Sequence, residues 1–459
     1  MTSYATKNTT LDQFDENMLP VEEPDNKNRS IFSDPAFSRN RSYPIHRWVP
    51  WIAGFSKEFV NDSIVKYIDG SGTILDPFAG VGTTLVEALL TGNDACGFEI
   101  NPYAAFACRT KLNSYMVDER EFRDEIEKFL KFYKNAIQLN YTPESSAPAG
   151  FKTRIEFYSP KVLVKVLIVQ DYIKDIQIQN IRDLFRLAFA STMVRYSNYS
   201  YEPSLGTRIG SGKKNIVDFE VGETLVRKLV EYLKDISWTR GVVNVQHPPY
   251  IEVINDSFFE YESHLQKNSV DLIITSPPYL NNYHYNRNTR PQLYWLDLVN
   301  SPEDLKPLEN SNFGNFWQTV RDKEAMNLTF DADFIDLEER LDRIRSVNPD
   351  RKTYGGGGWA NYAISYFNDC YRLSQGIEHC LKKDATALVV IGNSILQGVT
   401  IPTDEYFGKI AESIGLELVE IHIPRSKRVG NSIIQSNIRV SKAKKGHRLY
   451  EAVVELRKS

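Results

Sequence analysis

The segment Thr73–Thr84 reads as a short apolar strand followed by a glycine turn and the start of a helix. Gly80 and Gly82 allow the backbone to turn tightly and to approach a ligand without an intervening Cβ atom. A second apolar strand, Ala95–Phe98, follows and ends at Glu99. Strand, helix and strand in this order form a βαβ unit, which favours a parallel sheet. We therefore predict an α/β fold built on a doubly wound, mostly parallel sheet.

The same turn indicates the kind of ligand that it binds. A phosphate-binding loop has a lysine after its last glycine, whereas Gly82 is followed by Thr83, and a dinucleotide fingerprint has a third glycine where Leu85 stands. Asp76 would repel a pyrophosphate and suits a ligand with a positively charged end, such as S-adenosylmethionine. Glu99 ends the second strand, where an acid accepts ribose hydroxyls. An ordinary βαβ turn with an incidental acid is the alternative.

A second strand-end motif, Ser276–Tyr279, follows the apolar run Val270–Thr275. Ligands of open α/β sheets bind where strands end at their carboxyl edge. Pro277 and Pro278 fix the turn and lack an N–H group, so the carbonyls around them point outward as acceptors. A serine before them and a tyrosine after them suit a planar group with an exocyclic amine. A turn of similar composition, His247–Tyr250, precedes its apolar run, and we interpret it as a strand entry.

Together these motifs resemble the amino-methyltransferases of DNA, which use S-adenosylmethionine to methylate N4 of cytosine or N6 of adenine. The segments that carry the resemblance are Asp76–Thr83, Glu99–Pro102 and Thr275–Tyr279, with looser matches at His46–Ser56, Ile254–Ser257 and Ala387–Ser394. The resemblance implies a Rossmann-like methyltransferase sheet of seven strands, with a helical insertion and a second, smaller insertion. The chain departs from the usual layout by a long segment between the second strand and the acid of the third.

The resemblance also implies which residues form the site. The cofactor-binding residues are expected to be Trp48, Phe55, Asp76, Pro77, Phe78, Gly80, Gly82, Thr83, Glu99, Ile100, Asp256 and Ser257. The target base must be flipped out of the duplex to reach Ser276, Pro277, Pro278 and Tyr279, which form the expected catalytic group. A serine at the first position of this turn favours cytosine N4 over adenine N6. No cysteine follows a proline in a plausible active loop, which disfavours methylation at cytosine C5.

The net charge is −4, so contacts to DNA must come from local basic clusters. The stretch Pro424–Arg448 contains eight basic residues and no acid, and a solvated hairpin is the alternative to a phosphate-binding surface. The predicted DNA-binding residues are Arg208, Arg287, Arg290, Arg425, Lys427 and Arg428. Leu280–Arg290 suits gripping a displaced base, whereas we interpret Ser197–Pro203 as a capping loop with packed tyrosines rather than a base-stacking surface.

The expected organisation alternates core and inserted segments. Residues 1–42 are expected to form a loosely ordered arm, and residues 43–112 the first part of the core with the cofactor loop. A helical insertion over 113–250 and a second insertion over 300–358 are both candidates for target recognition, separated by core residues 251–299. Residues 359–459 complete the core. Within these segments we predict helices over Glu119–Gln138 and Asn361–Leu381, and a hinge or mobile loop at Gly355–Gly358.

The remaining expectations concern the cellular location, the partners and the alternative functions of the protein. The four cysteines form no C-x-x-C pair and no run of eighteen apolar residues occurs, so we expect a cytoplasmic protein without structural zinc. Double-stranded DNA is the expected partner, with a cognate restriction endonuclease as a further candidate. The alternatives are an RNA amino-methyltransferase acting on guanine N2 or adenine N6, a catalytically inactive nucleotide-binding regulator, and a dehydrogenase, which the missing third glycine disfavours.

Overall fold

The protein is an α/β structure organised around one large sheet. The computed structural model describes residues 32, 37–49, 51, 54–201, 204–280, 285–333, 335–347, 357–425 and 449–459. The strands in these ranges are β1 (Thr73–Asp76), β2 (Asp94–Phe98), β3 (Tyr199–Tyr201), β4 (Leu205–Thr207), β5 (Ile251–Ile254), β6 (Val270–Thr275), β7 (Leu381–Gly392), β8 (Ser394–Leu396), β9 (Val399–Ile401), β10 (Leu416–Arg425) and β11 (Glu451–Lys458).

Helices precede, connect and follow these strands. In the described ranges they are α1 (Lys57–Tyr67), α2 (Thr83–Thr91), α3 (Pro102–Leu112), α4 (Glu119–Gln138), α5 (Pro160–Asp175), α6 (Gln179–Thr192), α7 (Val221–Val242), α8 (Tyr261–His264), α9 (Tyr285–Trp295), α10 (Leu305–Asn310), α11 (Trp317–Val320), α12 (Leu337–Val347), α13 (Gly357–Cys380) and α14 (Thr403–Ser413). None of the helices in the described part of the chain is long and apolar enough to cross a membrane.

The main sheet has seven strands in the order β10-β11-β7-β6-β1-β2-β5. All neighbouring pairs from β7 to β5 are parallel, whereas β11 runs antiparallel to both β7 and β10. The predicted doubly wound, mostly parallel sheet of seven strands is therefore confirmed. Strand order reverses between β1 and β6, which is the switch point where open α/β sheets bind their ligands.

Both faces of the central strands are covered, which explains why their sequences are almost continuously apolar. Side chains alternate along a strand, so Ile74 and Leu272 enter the core beneath α1, α2 and the helices between β2 and β5. Leu75 and Ile273 enter the opposite core, which α13 and α14 cover. This two-sided burial fixes the register of β1 and β6 and therefore fixes where their ends meet.

Helix α2 begins directly after the glycine turn. Gly82 is its N-cap, with φ of 83°, and a Cβ atom there would lie 2.3 Å from Cys108 Sγ. Among the described residues no side chain caps this helix start, and the Thr84 hydroxyl donates to Asp76 Oδ2 instead. The helix ends at Gly92, whose N–H closes the last turn in a left-handed conformation.

Four long helices, α4 to α7, lie between β2 and β5 in the sequence and pack on one another. The predicted helix over Glu119–Gln138 is confirmed, and the helix predicted over Asn361–Leu381 begins one turn earlier, at Gly357. The expected hinge is wrong for Gly357 and Gly358, because both lie in α13 and a Cβ atom on Gly358 would meet Arg321 at 2.8 Å. The other two glycines of that run lie outside the described residues.

Candidate active site

A cavity lies at the carboxyl ends of β1, β2, β5 and β6, beside the switch point. The residues that line it are Trp51, Pro77, Phe78, Gly80, Phe98, Glu99, Ile100, Asn101, Asp256, Ser257, Phe258, Phe259, Ser276, Pro278, Tyr285, Asn286, Ser311, Asn312 and Phe313. We call this space the switch-point cavity. Four strands that are distant in sequence thus deliver their first loop residues to one place.

The switch-point cavity brings together most of the residues that the sequence singled out. Those on its wall are Pro77, Phe78, Gly80, Glu99, Ile100, Asp256, Ser257, Ser276 and Pro278. Asp76, Gly82 and Thr83 support the loop from behind, and Pro277 is buried beside the wall. Trp48 and Phe55 lie in the core and not on the cavity wall.

Asp76 joins the three elements that meet at the switch point. Its side chain is 1% exposed, and Oδ1 accepts hydrogen bonds from the Thr275 hydroxyl at 2.7 Å and the Phe78 N–H at 3.0 Å. Oδ2 accepts from the Thr84 hydroxyl at 2.7 Å. Burial raises the pKa of Asp76 to about 6, although these hydrogen bonds oppose the shift. Because both oxygens are engaged within the protein, we interpret Asp76 as the residue that holds the glycine loop in shape.

The glycine loop is also held from the side of α3. Ala79 N–H donates to the Phe98 carbonyl at 2.8 Å, which ties the loop to the end of β2. The Lys111 ammonium is almost fully buried and donates to the Val81 carbonyl at 2.9 Å. Burial lowers the pKa of Lys111 to about 7. The loop therefore keeps its shape through contacts that do not use its ligand-facing side.

Glu99 presents a carboxylate at the end of β2. Its Oε1 accepts from the Asn101 N–H at 2.7 Å, and the Gly80 N–H also donates to the carboxylate. Burial raises the pKa of Glu99 to about 7, and the nearby charge of Asp76 acts in the same direction. A half-buried carboxylate beside a glycine turn is a suitable acceptor for the hydroxyls of a ribose.

Aromatic rings form the apolar side of the switch-point cavity. Phe313 lies edge-on to Phe78 at 5.3 Å between centroids and stacks with Phe259 at 6.1 Å. With Ile100 they offer flat apolar surfaces of the kind that bind an adenine ring. No sequence signal pointed to Phe313, because this residue lies in the predicted second insertion and reaches the cavity only through tertiary packing.

Trp51 lies against the glycine loop, where its indole nitrogen would be 3.1 Å from a Cβ atom on Gly80. Sequence reasoning assigned Trp48 to the cofactor instead. Trp48 stacks on Tyr232 of α7, and its indole N–H donates to Asp235 Oδ2 at 2.8 Å. Trp48 thus anchors this segment to α7, and Trp51 is the tryptophan that reaches the cavity.

The Ser-Pro-Pro-Tyr turn continues directly from β6. Ser276 and Pro278 face the switch-point cavity, and the Tyr279 hydroxyl donates to Glu451 Oε1 on β11 at 3.3 Å. The ring of Tyr279 is half-buried. A serine hydroxyl therefore shares one cavity with Glu99 and the glycine loop, as acceptance of an amine beside a bound cofactor would require.

The six predicted DNA-binding residues have different surroundings. Arg287 is exposed, and Arg208 borders a second cavity with its Nε donating to the Lys214 carbonyl at 2.9 Å. The Arg290 guanidinium packs over the rings of Phe151 and Tyr294, at 5.8 and 5.6 Å, which points to a packing role. Lys427 and Arg428 lie outside the described residues, as does the side chain of Arg425 at the end of β10.

Known proteins resemble this chain over most of its length. A family model described as DNA methylase matches residues 4–109. Type II methyltransferase M.BsoBI of Geobacillus stearothermophilus is 25% identical over 452 residues, covering 90% of this chain and 86% of that protein. Type II methyltransferase M.AvaI of Nostoc sp. is 26% identical over 427 residues, covering 86% and 84%. Type II methyltransferase M.MvaI of Kocuria varians is 21% identical over 349 residues, covering 72% of each chain.

The sheet order, the glycine loop and the carboxylate at the end of β2 fit an S-adenosylmethionine-dependent methyltransferase. The family model and these relatives support the amino-methyltransferase family of DNA methyltransferases, and they imply S-adenosylmethionine as the methyl donor. The family resemblance and the methyl donor expected from the sequence are both confirmed. The cavity suits that donor, since it offers an acidic acceptor for a ribose and aromatic surfaces for an adenine.

Replacing Glu99 with alanine is expected to weaken S-adenosylmethionine binding by about 1–3 kcal/mol, because hydrogen bonds to a charged group have this magnitude. Isothermal titration calorimetry measures the change. Glu252→Ala is the matched control, since Glu252 is exposed on the neighbouring strand β5 and does not line the cavity. Equal affinity in the Glu99 variant and the wild type would contradict the assignment of this carboxylate to the cofactor.

Proposed function

We propose that this protein is a site-specific methyltransferase that methylates N4 of cytosine in double-stranded DNA after the base has been flipped into the protein. The observation that carries the proposal is the position of Ser276 on the wall of the same cavity as Gly80 and Glu99. A base held at Ser276 would meet the methyl donor held by the glycine loop. The serine at the first position of the turn supports cytosine over adenine by family resemblance.

The chemistry requires the protein to change the hybridisation of a poor nucleophile. The lone pair of an exocyclic amine is delocalised into the base, so the nitrogen attacks weakly. The Ser276 hydroxyl oxygen and the Pro277 carbonyl oxygen would accept hydrogen bonds from the two amine N–H groups, draw the nitrogen toward tetrahedral geometry and free its lone pair. On gaining the methyl group, the nitrogen releases one of its two protons to water. When bound, S-adenosylmethionine supplies a methyl group already activated by its sulfonium. Positioning therefore supplies most of the rate enhancement.

The relatives support a biological setting for this reaction. Proteins named Type II methyltransferase match 86% or more of the chain in three cases. We propose that this protein modifies DNA as the protective partner of a restriction endonuclease. Its target would then be a defined short sequence, methylated on both strands or on one.

The product of the reaction is expected to be N4-methylcytosine in DNA. The protein would be expressed in a host that lacks DNA methyltransferases, and digested DNA and RNA would be analysed by mass spectrometry. The same host without the expressed protein is the control. N6-methyladenine would correct the choice of base, a methylated base in RNA alone would favour the RNA alternative, and 5-methylcytosine would contradict the proposed chemistry.

A further inference from the structure

A short segment that precedes the glycine loop in the chain is held between two helices. It comprises residues 45–49 together with Trp51, and we call it the strap. On one side, His46 Nε2 lies 2.7 Å from Glu87 Oε1 of α2, and both side chains are buried. On the other side, the strap contacts α7. Because α2 begins at the glycine loop and α7 is one of the helices inserted between β2 and β5, the strap joins that loop to the inserted helices.

One buried carboxylate of α7 accepts hydrogen bonds from three residues of the strap. This residue, Asp235, is 1% exposed. Its Oδ2 accepts from the Ile45 N–H at 2.9 Å, the Arg47 Nε–H at 3.0 Å and the Trp48 indole N–H at 2.8 Å. Its Oδ1 accepts from the Arg47 guanidinium. The carboxylate thus satisfies donors that the strap would otherwise bury without a partner, and it offsets the charge of the guanidinium.

Two further residues of α7 contact the strap. The Lys228 ammonium donates to the Arg47 carbonyl at 3.0 Å, and the Tyr232 ring stacks on Trp48 at 4.0 Å between centroids. Lys228, Tyr232 and Asp235 are four and three positions apart, which places them on one face of the helix. A substitution of the carboxylate alone therefore leaves the stacked rings and the ammonium contact in place.

The backbone of Ile45 adopts a conformation that needs such support. Its φ is 64° and its ψ is −47°, and the His46 N–H donates to the Pro44 carbonyl at 2.7 Å. Ile45 is therefore the central residue of a γ-turn of the rare, strained form, and a β-branched side chain makes positive φ still less favourable. Strain of this kind persists only where surrounding contacts hold it. Asp235 supplies such a contact at the strained residue itself, through the Ile45 N–H.

The strap ends at the cavity assigned to the methyl donor. Trp51 lies on the cavity wall, and its indole nitrogen would be 3.1 Å from a Cβ atom on Gly80. We infer that Asp235 is a positioning residue of the methyl-donor site, because it holds the strap in the conformation that keeps Trp51 against the glycine loop. The inference rests on the proposed function only for the place of the donor, and not for the base that receives the methyl group.

A double-mutant cycle between Asp235 and Trp51 tests this inference. Trp51→Ala and Asp235→Asn should each weaken S-adenosylmethionine binding about tenfold, the ratio expected for one polar or aromatic contact. Because Asp235 is inferred to act through Trp51, the double variant should bind no more weakly than Trp51→Ala alone. Isothermal titration calorimetry, at a temperature where circular dichroism shows each variant folded, measures the dissociation constants. Glu223→Gln, an exposed acid-to-amide change on the same helix, is the matched control and should bind as the wild type does.

Trp48→Phe keeps the test decisive if Asp235→Asn does not fold. It removes the indole N–H that donates to Asp235 and keeps an aromatic ring against Tyr232. We expect a loss of affinity of about threefold, at the low end for one hydrogen bond, and no further loss in the Trp51→Ala background. Losses that add in either cycle, or wild-type affinity in Trp51→Ala or in both strap-contact variants, would overturn the inference.

The Glu99→Ala measurement separates failure of this inference from failure of the donor site. Weakened binding in Glu99→Ala with additive losses in the cycles would overturn the role of Asp235 and leave the donor in the cavity. Wild-type affinity in both Glu99→Ala and Trp51→Ala would contradict the placement of the donor as well. The methylated base found by mass spectrometry tests the proposed reaction independently of these binding constants.

Discussion

Ser276→Ala is expected to lower kcat about a hundredfold while the affinity for S-adenosylmethionine remains unchanged. The magnitude is that of removing one preorganised polar group from a reacting centre. The hydroxyl would accept from the amine most strongly as the nitrogen becomes tetrahedral, so its loss acts on the transition state more than on binding. Single-turnover methylation with saturating DNA and cofactor measures this step directly.

Two substitutions of Tyr279 separate the contribution of its ring from that of its hydroxyl. Tyr279→Ala should weaken DNA binding by roughly 1–3 kcal/mol through lost stacking. Tyr279→Phe keeps the ring and removes the hydroxyl that donates to Glu451, so it should remain close to wild type. Tyr250→Ala is the matched control, because Tyr250 belongs to the other Pro-Pro-Tyr turn and is 67% exposed. Full turnover in a Ser276→Ala, Tyr279→Ala protein would remove this turn from the mechanism.

Asp76→Ala is expected to lower the free energy of unfolding by about 3–5 kcal/mol, because two buried hydroxyls and one backbone N–H lose their acceptor at once. Urea denaturation followed by circular dichroism measures the loss. Asp76→Asn should recover part of it, since one oxygen remains an acceptor. Asp69→Ala, at an exposed position before β1, should change stability by less than about 0.5 kcal/mol. A midpoint for Asp76→Ala equal to that of Asp69→Ala would contradict the network.

The pH dependence of stability tests the raised pKa of Asp76. Burial raises the pKa of the folded-state carboxyl from 3.8 to about 6. The native state therefore binds more protons than the unfolded state between these values, and the contribution of this group to stability falls as the pH rises through that window. The difference in stability between wild type and Asp76→Asn should accordingly change between pH 4 and pH 6 and level off above it. A difference that is flat across this window would contradict the raised pKa.

Motifs that combine a strand end with a tight turn were predictable from sequence because their signals are local. Gly82 needs a left-handed conformation, Pro277 and Pro278 cannot join a sheet, and each follows an apolar run that only a buried strand explains. These signals located the glycine loop, the Ser-Pro-Pro-Tyr turn and Glu99 without any knowledge of strand order. Family resemblance then supplied the methyl donor.

Side-chain direction was not predictable, since it depends on packing partners that are distant in sequence. Trp48 and Trp51 are close neighbours in the chain. Trp48 is buried and donates to Asp235 of α7, whereas Trp51 lies on the cavity wall. The apolar residues of α7 are buried because α4 and α6 pack against this helix. Tyr199 and Tyr201, which belong to the predicted capping loop, line the second cavity. The Tyr201 hydroxyl donates to the Asn288 carbonyl of α9.

The amino-acid sequence by itself determined the strand–turn units and the chemical types at their ends, because backbone restrictions and apolar runs act within a few residues. The tertiary structure alone decided that β5 pairs with β2 across the helices inserted between them, and that four strand ends meet at one cavity. It also decided that Asn288 Nδ2 and Gln292 Oε1 are buried with no hydrogen-bond partner among the described residues. Such features depend on long-range packing, because the hydrogen-bond partners of a buried polar group come from segments that are distant in sequence.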